Sequence, residues 1–560
     1  MPEARTAASA ATAGPVTDGQ TPCPAARLAA ASGWRHMIQD FRPLRQSLEW
    51  QLGQHAWMTQ GARTFSESGV PYIVNNSGTL SASAARLLLS RLDEVPAAGP
   101  IRLLELGAGS GLFARYLLDE LQRLCAEQGR SDYERLQFWV SDASPAMVDA
   151  WRQRGQFAPH AARVELHACA AEAAASLQPE PWHAVFAHYV LDVLPADVVR
   201  RGEAGWEQLH QRCWTQADAV TLLQYTALPV EALQALAEAG DPAAHDALAP
   251  LLPVLESEVA YRPADPAQLA RWRLDEAAES ATQPFAVNWG ALDCLDALLP
   301  RLGAGGFCLI SDFVAEPGDL AQRFGPTTAL GLNLGALERH VRRAGFHIQA
   351  SEGDSKLPLR HRLITPRPAP NTEDVFMREL GAQAWSWRDE PRERARAHAA
   401  AGHTASALEQ YRLALERAPG DWAVLHLAAE FAATSLRDPA LARDLAQAAL
   451  ARNPWTDHRL WNTLGEAWLS LGQKAQALDC HLHALRIHAR DAGSWLALAR
   501  CQVALGQAED SLQSIAHGLA CDRDAMFRHL LLAEQPRALD QLAWRFGAER
   551  AAQARRNSGC

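Results

Sequence analysis

The stretch Ile101-Arg102-Leu103-Leu104-Glu105-Leu106-Gly107-Ala108-Gly109-Ser110-Gly111 constrains the chain more than any other. Its apolar run predicts a short buried strand. Its three glycines in five residues predict a tight turn that a ligand can approach without meeting a Cβ. The amphipathic run Leu112 to Leu121 then predicts a helix, whose first N–H groups are left for a polar or anionic partner. The spacing is Gly-x-Gly-x-Gly, which departs from the Gly-x-Gly-x-x-Gly of dinucleotide folds. No Gly-Lys-Ser/Thr follows, so a Walker lysine for a triphosphate is missing.

A second strand, Leu136 to Asp142, ends in an acid, and Ser144-Pro145 is a helix-opening signal after it. An acid at the tip of the neighbouring strand is suited to two adjacent ribose hydroxyls, or alternatively to capping its own turn. Val164 to Ala170 is a third strand candidate. Ala184 to Ala187 is a fourth, delivering His188 and Tyr189 to the carboxyl end of a sheet. Gly303 to Gly306 predicts a glycine turn before a fifth strand that ends in Asp312. Phe346-His347-Ile348 and Leu363-Ile364-Thr365 predict a last antiparallel pair.

With Glu105 two residues before Gly107, the first segment resembles motif I of class I S-adenosylmethionine-dependent methyltransferases. The phrase Ala187-His188-Tyr189-Val190-Leu191-Asp192-Val193-Leu194-Pro195 is similar to the MidA-type branch, which includes a mitochondrial complex I assembly factor acting on protein arginine. Asp192, Leu194 and Pro195 match its Ala-Asn-Glu-x-x-Asp-x-Leu-Pro, as do Asp142, Ser144 and Pro145 its acid-x-Ser-Pro. His188 and Tyr189 replace the branch's Asn and Glu.

The resemblance implies S-adenosylmethionine as cofactor. It implies cofactor contacts at Glu105, Gly107, Ala108, Gly109, Gly111, Asp142, Ala143, Cys169, Ala170 and His188. His188, Tyr189 and Asp192 are the candidates beside the acceptor, with His188 a candidate base. It covers roughly residues 60 to 367.

Beyond residue 368 a repeat with a period near 34 sets in. Trp461, Leu464, Gly465, Trp468, Gly472, Ala477 and Ala484 recur as Trp495, Leu498, Ala499, Gln502, Gly506, Ser511 and Gly518. Large residues on one helix and small ones at a crossing match the tetratricopeptide repeat, with about four copies and a helical ending. The concave side of such a stack suits a protein or peptide. His481, His483 and His488 read as a solvated polar face rather than a metal site.

The expected architecture is therefore an α/β, Rossmann-like class I methyltransferase domain followed by an all-α repeat solenoid. Residues 1–30 read as a disordered tail and 31–367 as the methyltransferase domain, with helix from Trp34 to Leu52 and a mostly helical insertion over about 215–280. Residues 69–78 read as a strand ending in a polar turn. Residues 368–390 read as a linker, marked by Pro366, Pro368 and Pro370, and 391–555 as repeats.

A net charge of −11 argues against a broad nucleic-acid surface. Ten scattered cysteines without Cys-x-x-Cys argue against a zinc site, and the lack of a long apolar run against a membrane span. The expected setting is a reducing cytoplasm. The expected function is methyl transfer to a protein or peptide. The alternative is a scaffold that binds the cofactor, or keeps only the fold, and works through its repeats. Acceptor atom and oligomeric state are not legible.

Overall fold

The computed structural model describes residues 36–67, 76–97, 99–351, 353, 359–522 and 525–558. The tail over 1–30 and most of the strand reading over 69–78 lie outside these residues. The described residues fall into two compact units, one built mainly on 80–385 and the other mainly on 386–560.

The first unit is built on a seven-stranded sheet. Its strands are β1 (Ile101–Leu106), β2 (Leu136–Asp142), β3 (Val164–Ala168), β4 (Trp182–His188), β5 (Leu302–Asp312), β6 (His347–Ala350) and β7 (Arg360–Thr365). Their order is β6-β7-β5-β4-β1-β2-β3. β1 to β5 run parallel, and β7 runs antiparallel to both β5 and β6. The apolar runs of the central strands are buried throughout: Ile101, Leu103, Leu104 and Ala184 to Ala187 are all inaccessible. That is the pattern of a sheet covered on both faces. The order reverses between β1 and β4, and such a reversal opens a crevice at the carboxyl ends of the strands.

The predicted glycine turn over Gly303–Gly306 is a correction. These residues lie inside β5, where the register against β4 jumps between Leu302↔Trp182 and Phe307↔Ala184. The glycines are absorbed as an irregularity of the strand instead of preceding it.

A second, antiparallel sheet joins His36–Pro43, Asp197–Gly202, Gly205–Thr215, Leu255–Pro263 and Phe285–Val287. One helical reading fails in part here, and the mostly helical insertion holds with one exception. The predicted helix from Trp34 holds only from Leu48, because His36–Pro43 pairs with the long strand Gly205–Thr215. Gln39 explains the override: its amide donates to the Ala237 carbonyl at 3.0 Å and accepts from the Leu48 N–H at 2.7 Å. No local pattern reveals partners that distant. The insertion likewise contributes helices Ala219–Thr226 and Val230–Ala239 but also the strand Leu255–Pro263, paired from Thr215↔Leu255 to Glu207↔Pro263. Buried Asp197 ties the sheet to its helices by accepting from Gln208, Trp272 and Trp289 side chains at 2.7, 2.8 and 3.0 Å.

The segment read as a linker, 368–390, is also a correction. It forms helices Pro370–Leu380 and Ala382–Arg388. Phe376 is fully buried, and Thr372 donates to Glu94 at 2.6 Å. Pro370 does not break structure here; it occupies the first helical turn, where its missing N–H costs nothing.

The second unit stacks helical hairpins: Glu390–Ala400 with Thr404–Arg417, Trp422–Phe431 with Pro439–Arg452, His458–Ser470 with Lys474–Ile487, and Ala492–Leu505 with Ala508–Cys521. The helix Arg528–Ser558 follows. The 34-residue period reappears as geometry. Trp461 stacks on His483 at 4.0 Å, and Trp495 on His517 at 4.8 Å. Gly465 marks a helix crossing, since a Cβ there would lie 2.5 Å from the His481 ring. His481 is therefore buried, with Nδ1 3.1 Å from Asn462 Oδ1, and is not on a solvated face as its helix position suggested.

Candidate active site

The glycine turn after β1 is fastened on every side. The Ala108 N–H donates to the Ser141 carbonyl at 2.8 Å, and the Gly111 N–H to the Ala108 carbonyl at 2.9 Å. The Trp151 indole and Gln156 amide donate to the carbonyls of Gly109 and Ser110 at 3.0 and 2.9 Å. Gly107, Gly109 and Gly111 all have positive φ. At Gly107 a Cβ would also come within 2.5 Å of Val190 Cγ2.

Asp142, at the tip of β2, grips this turn. Its Oδ2 accepts the Gly109 N–H at 2.9 Å and its Oδ1 the Ser144 N–H at 2.8 Å. Both readings of Asp142 thus remain compatible: each oxygen caps backbone and keeps a lone pair for a hydroxyl. Burial pushes its carboxyl up, against the pull of the two N–H groups.

Glu105 is buried one strand away, and its Oε2 has no partner. Burial first, and the Asp142 charge second, push its carboxyl well above the ordinary range. Two carboxyls that repel beside the glycine-rich turn form a site that favours a cation or hydrogen-bond donors near them. Ala143 lies half-buried beside Asp142. Cys169, also half-buried, donates its N–H to the Asp142 carbonyl at 2.9 Å, and exposed Ala170 follows it. Burial raises the Cys169 thiol. The exits of β1, β2 and β3 therefore bring together the residues expected to hold the cofactor, except His188, which ends β4.

At the end of β4, His188 is buried with both ring nitrogens unpartnered, its ring edge-on to Phe113 at 4.3 Å. Burial, reinforced by His361, pushes its pKa down to about 3. The ring is neutral at physiological pH. Tyr189 takes a left-handed backbone (φ +53) and donates its N–H to the Ser311 carbonyl at 3.1 Å. Its buried hydroxyl has no partner, and burial raises its pKa. A strained non-glycine residue at a strand tip is a common mark of a functional site.

Asp192 is buried, with Oδ1 unpartnered. Its carboxyl lies within hydrogen-bonding reach of Asp312 at the tip of β5. Burial pushes both carboxyls up. Asp312 also accepts the N–H groups of Leu191 at 3.2 Å and Phe313 at 2.9 Å. Sequence reasoning noted Asp312 only as a strand-ending acid. That placement was the available signal; its partner Asp192 was not deducible from spacing. A file of His188, Ser311 and His361 crosses β4, β5 and β7, with His361 Nδ1 2.9 Å from Ser311 Oγ.

Residues 84–341 match the model of a family described as "Putative S-adenosyl-L-methionine-dependent methyltransferase". The matched segment is a methyltransferase domain. The glycine turn, Glu105, Asp142 and the acid pair all lie inside it, and its cofactor is S-adenosylmethionine.

Among solved structures, the chain is similar to an S-adenosyl-homocysteine-bound superfamily member from Burkholderia thailandensis, at 17% identity over 64% of this chain and 98% of that one, with a TM-score of 0.39. It is also similar to a thermophilic tetratricopeptide-repeat protein of Thermus thermophilus, at 22% identity over 29% of this chain and 98% of that one, with a TM-score of 0.23. A search of the curated proteins gives no match.

Among the described residues, no group of three or more His, Cys, Asp or Glu could hold a metal ion, and no helix is long and apolar enough to cross a membrane. The eight described cysteines are all free.

Proposed function

We propose that this methyltransferase domain acts on a protein or peptide acceptor that the repeat unit docks. The observation that carries the cofactor half is the buried, unpartnered Oε2 of Glu105, within electrostatic reach of Asp142 beside the glycine-rich turn. When bound, S-adenosylmethionine supplies a methyl group activated by its sulfonium. Glu105 and the turn would hold its amino-acid end, and Asp142 its ribose, with Ala143, Cys169 and Ala170 beside the base.

The chain's remaining work is positioning and proton handling. His188 enters this reading as a neutral hydrogen-bonding group that orients the acceptor, because burial makes it a poor base. Asp192, braced by Asp312, is the better proton acceptor: its Oδ1 is unpartnered and its affinity for a proton is raised. The Tyr189 hydroxyl, also unpartnered, would align the acceptor beside it. The stacked hairpins support the protein or peptide reading, since such solenoids form extended binding surfaces.

The test is methyl transfer from labelled S-adenosylmethionine into a cell lysate by the full chain. Label in the protein fraction, lost with Asp192→Asn, is the expected result. Label confined to small molecules removes the protein acceptor. Calorimetric binding of the cofactor without any transfer replaces the enzyme with a cofactor-binding scaffold.

A further inference from the structure

Away from the strand tips, the first unit contains a cavity of about 410 Å³ between the helix Leu334–Arg343, the strand Phe285–Val287 and the turn Trp272–Asp275. Trp272, Leu274, Phe285 and Leu292 give it an apolar wall. Arg273, Arg339 and Arg343 give it a cationic one.

These guanidinium groups are held by carboxylates set beside or behind them. Arg273 donates through Nη2 to Asp293 at 2.7 Å and to Asp296 at 2.9 Å. Its Nη1 is buried and has no partner. Arg339 closes on Asp275 with Nε at 2.6 Å, and Arg343 reaches the same carboxylate at 3.3 Å. Arg271 also pairs with Asp293, at 3.4 Å. The four arginines thus face three aspartates and keep one positive charge in excess. His340 completes the cluster, 2.6 Å from Asp296.

A buried guanidinium N–H without an acceptor has lost its hydration with nothing in return. The Arg273 backbone adds strain, because its φ is +50. A cost at both backbone and side chain of one residue, on the wall of a cavity, marks a group waiting for an acceptor. One surplus cation matches a monoanion. The apolar wall disfavours a bare inorganic ion and calls for a hydrocarbon body.

We propose that this cavity binds a small organic carboxylate, with its head on Arg273 and an aliphatic or aromatic body against Trp272, Phe285 and Leu292. The site is independent of methyl transfer. None of these residues belongs to the strand-tip cluster, so either reading can fail alone.

Calorimetry on the full chain tests it with octanoate and 4-phenylbutyrate as probes and 1-octanol as the neutral control. One carboxylate is expected to bind per chain, with 1-octanol about tenfold weaker or worse. Arg273→Met should lose about tenfold in carboxylate affinity while cofactor binding stays unchanged. If Arg273→Met fails to fold, Ala336→Phe, which fills the cavity from a half-buried helix position, must abolish binding. Equal binding of octanol, no binding of either acid, or affinity indifferent to both substitutions would overturn the proposal.

Discussion

Asp192 and Asp312 approach within hydrogen-bonding reach of one another at the tips of the methyltransferase sheet, both buried. Two carboxyls in that position cannot both ionise cheaply, so the pair holds a proton that each acid alone would release. This has a direct consequence for stability. The folded pKa is raised above the unfolded one, so the folded state binds the extra proton. Stability is fully present at low pH and falls as pH rises from about 4 through the raised folded value, by up to about 1.4 kcal/mol per pH unit for each proton retained. Thermal melts from pH 4 to 9 should show this decline, and Asp312→Asn should flatten it.

His188 carries the opposite sign. Its folded pKa is pushed down to about 3, so its contribution is present above its unfolded value near 6.5 and is lost as pH falls through the window between the two. At neutral pH it does not titrate. Activity between pH 6 and 8 should therefore show no His188 step. His188→Asn should retain activity within about tenfold, while Asp192→Asn should cost about a hundredfold or more in kcat.

Asp142 is expected to serve cofactor and scaffold together. Asp142→Ala removes the acceptor for the Gly109 and Ser144 N–H groups. It should cost about 1–3 kcal/mol in chemical denaturation and reduce S-adenosylmethionine affinity by more than tenfold. Asp142→Asn keeps one oxygen for the backbone. It should recover much of the stability and little of the affinity, and calorimetry separates the two effects.

Glu105 gives a binding signature of its own. A cationic cofactor beside a carboxyl raised by burial and by Asp142 favours its ionised form. S-adenosylmethionine binding should therefore release protons at every pH where the free protein holds one on Glu105. Calorimetric enthalpies in buffers of different ionisation heat should reveal this release, and Glu105→Gln should abolish it.

In the repeat unit, Gly465→Ala would put a methyl 2.5 Å from the His481 ring. An overpacked helix crossing should lose about 1–3 kcal/mol. A denaturation series should show the helical unit melting earlier, with cofactor affinity unchanged.

The parts of this protein legible in its sequence share one property: their signal is local. The run Ile101–Leu106 with Gly107, Gly109 and Gly111 announces strand, turn and helix within a few residues. The recurrence of Trp461 as Trp495 announces stacked hairpins. Misreadings arose where a distant partner decided. Gln39 holds His36–Pro43 in a strand through Ala237 and Leu48. Leu255–Pro263 becomes a strand because Gly205–Thr215 offers it an edge. Pro370 opens a helix because Phe376 has a core in which to bury itself.

Sequence by itself determined the strand, glycine turn and helix around Gly107–Gly111, the repeated hairpins and the acids at the strand tips, since chain-local sterics and periodicity suffice for these. Only the tertiary structure decided their electrostatic character. Whether a carboxyl holds its proton more tightly than usual, as at Asp312, or an imidazole stays neutral, as at His188, depends on how much water the surrounding fold removes and which charge it brings near. Neither quantity is a property of neighbours along the chain.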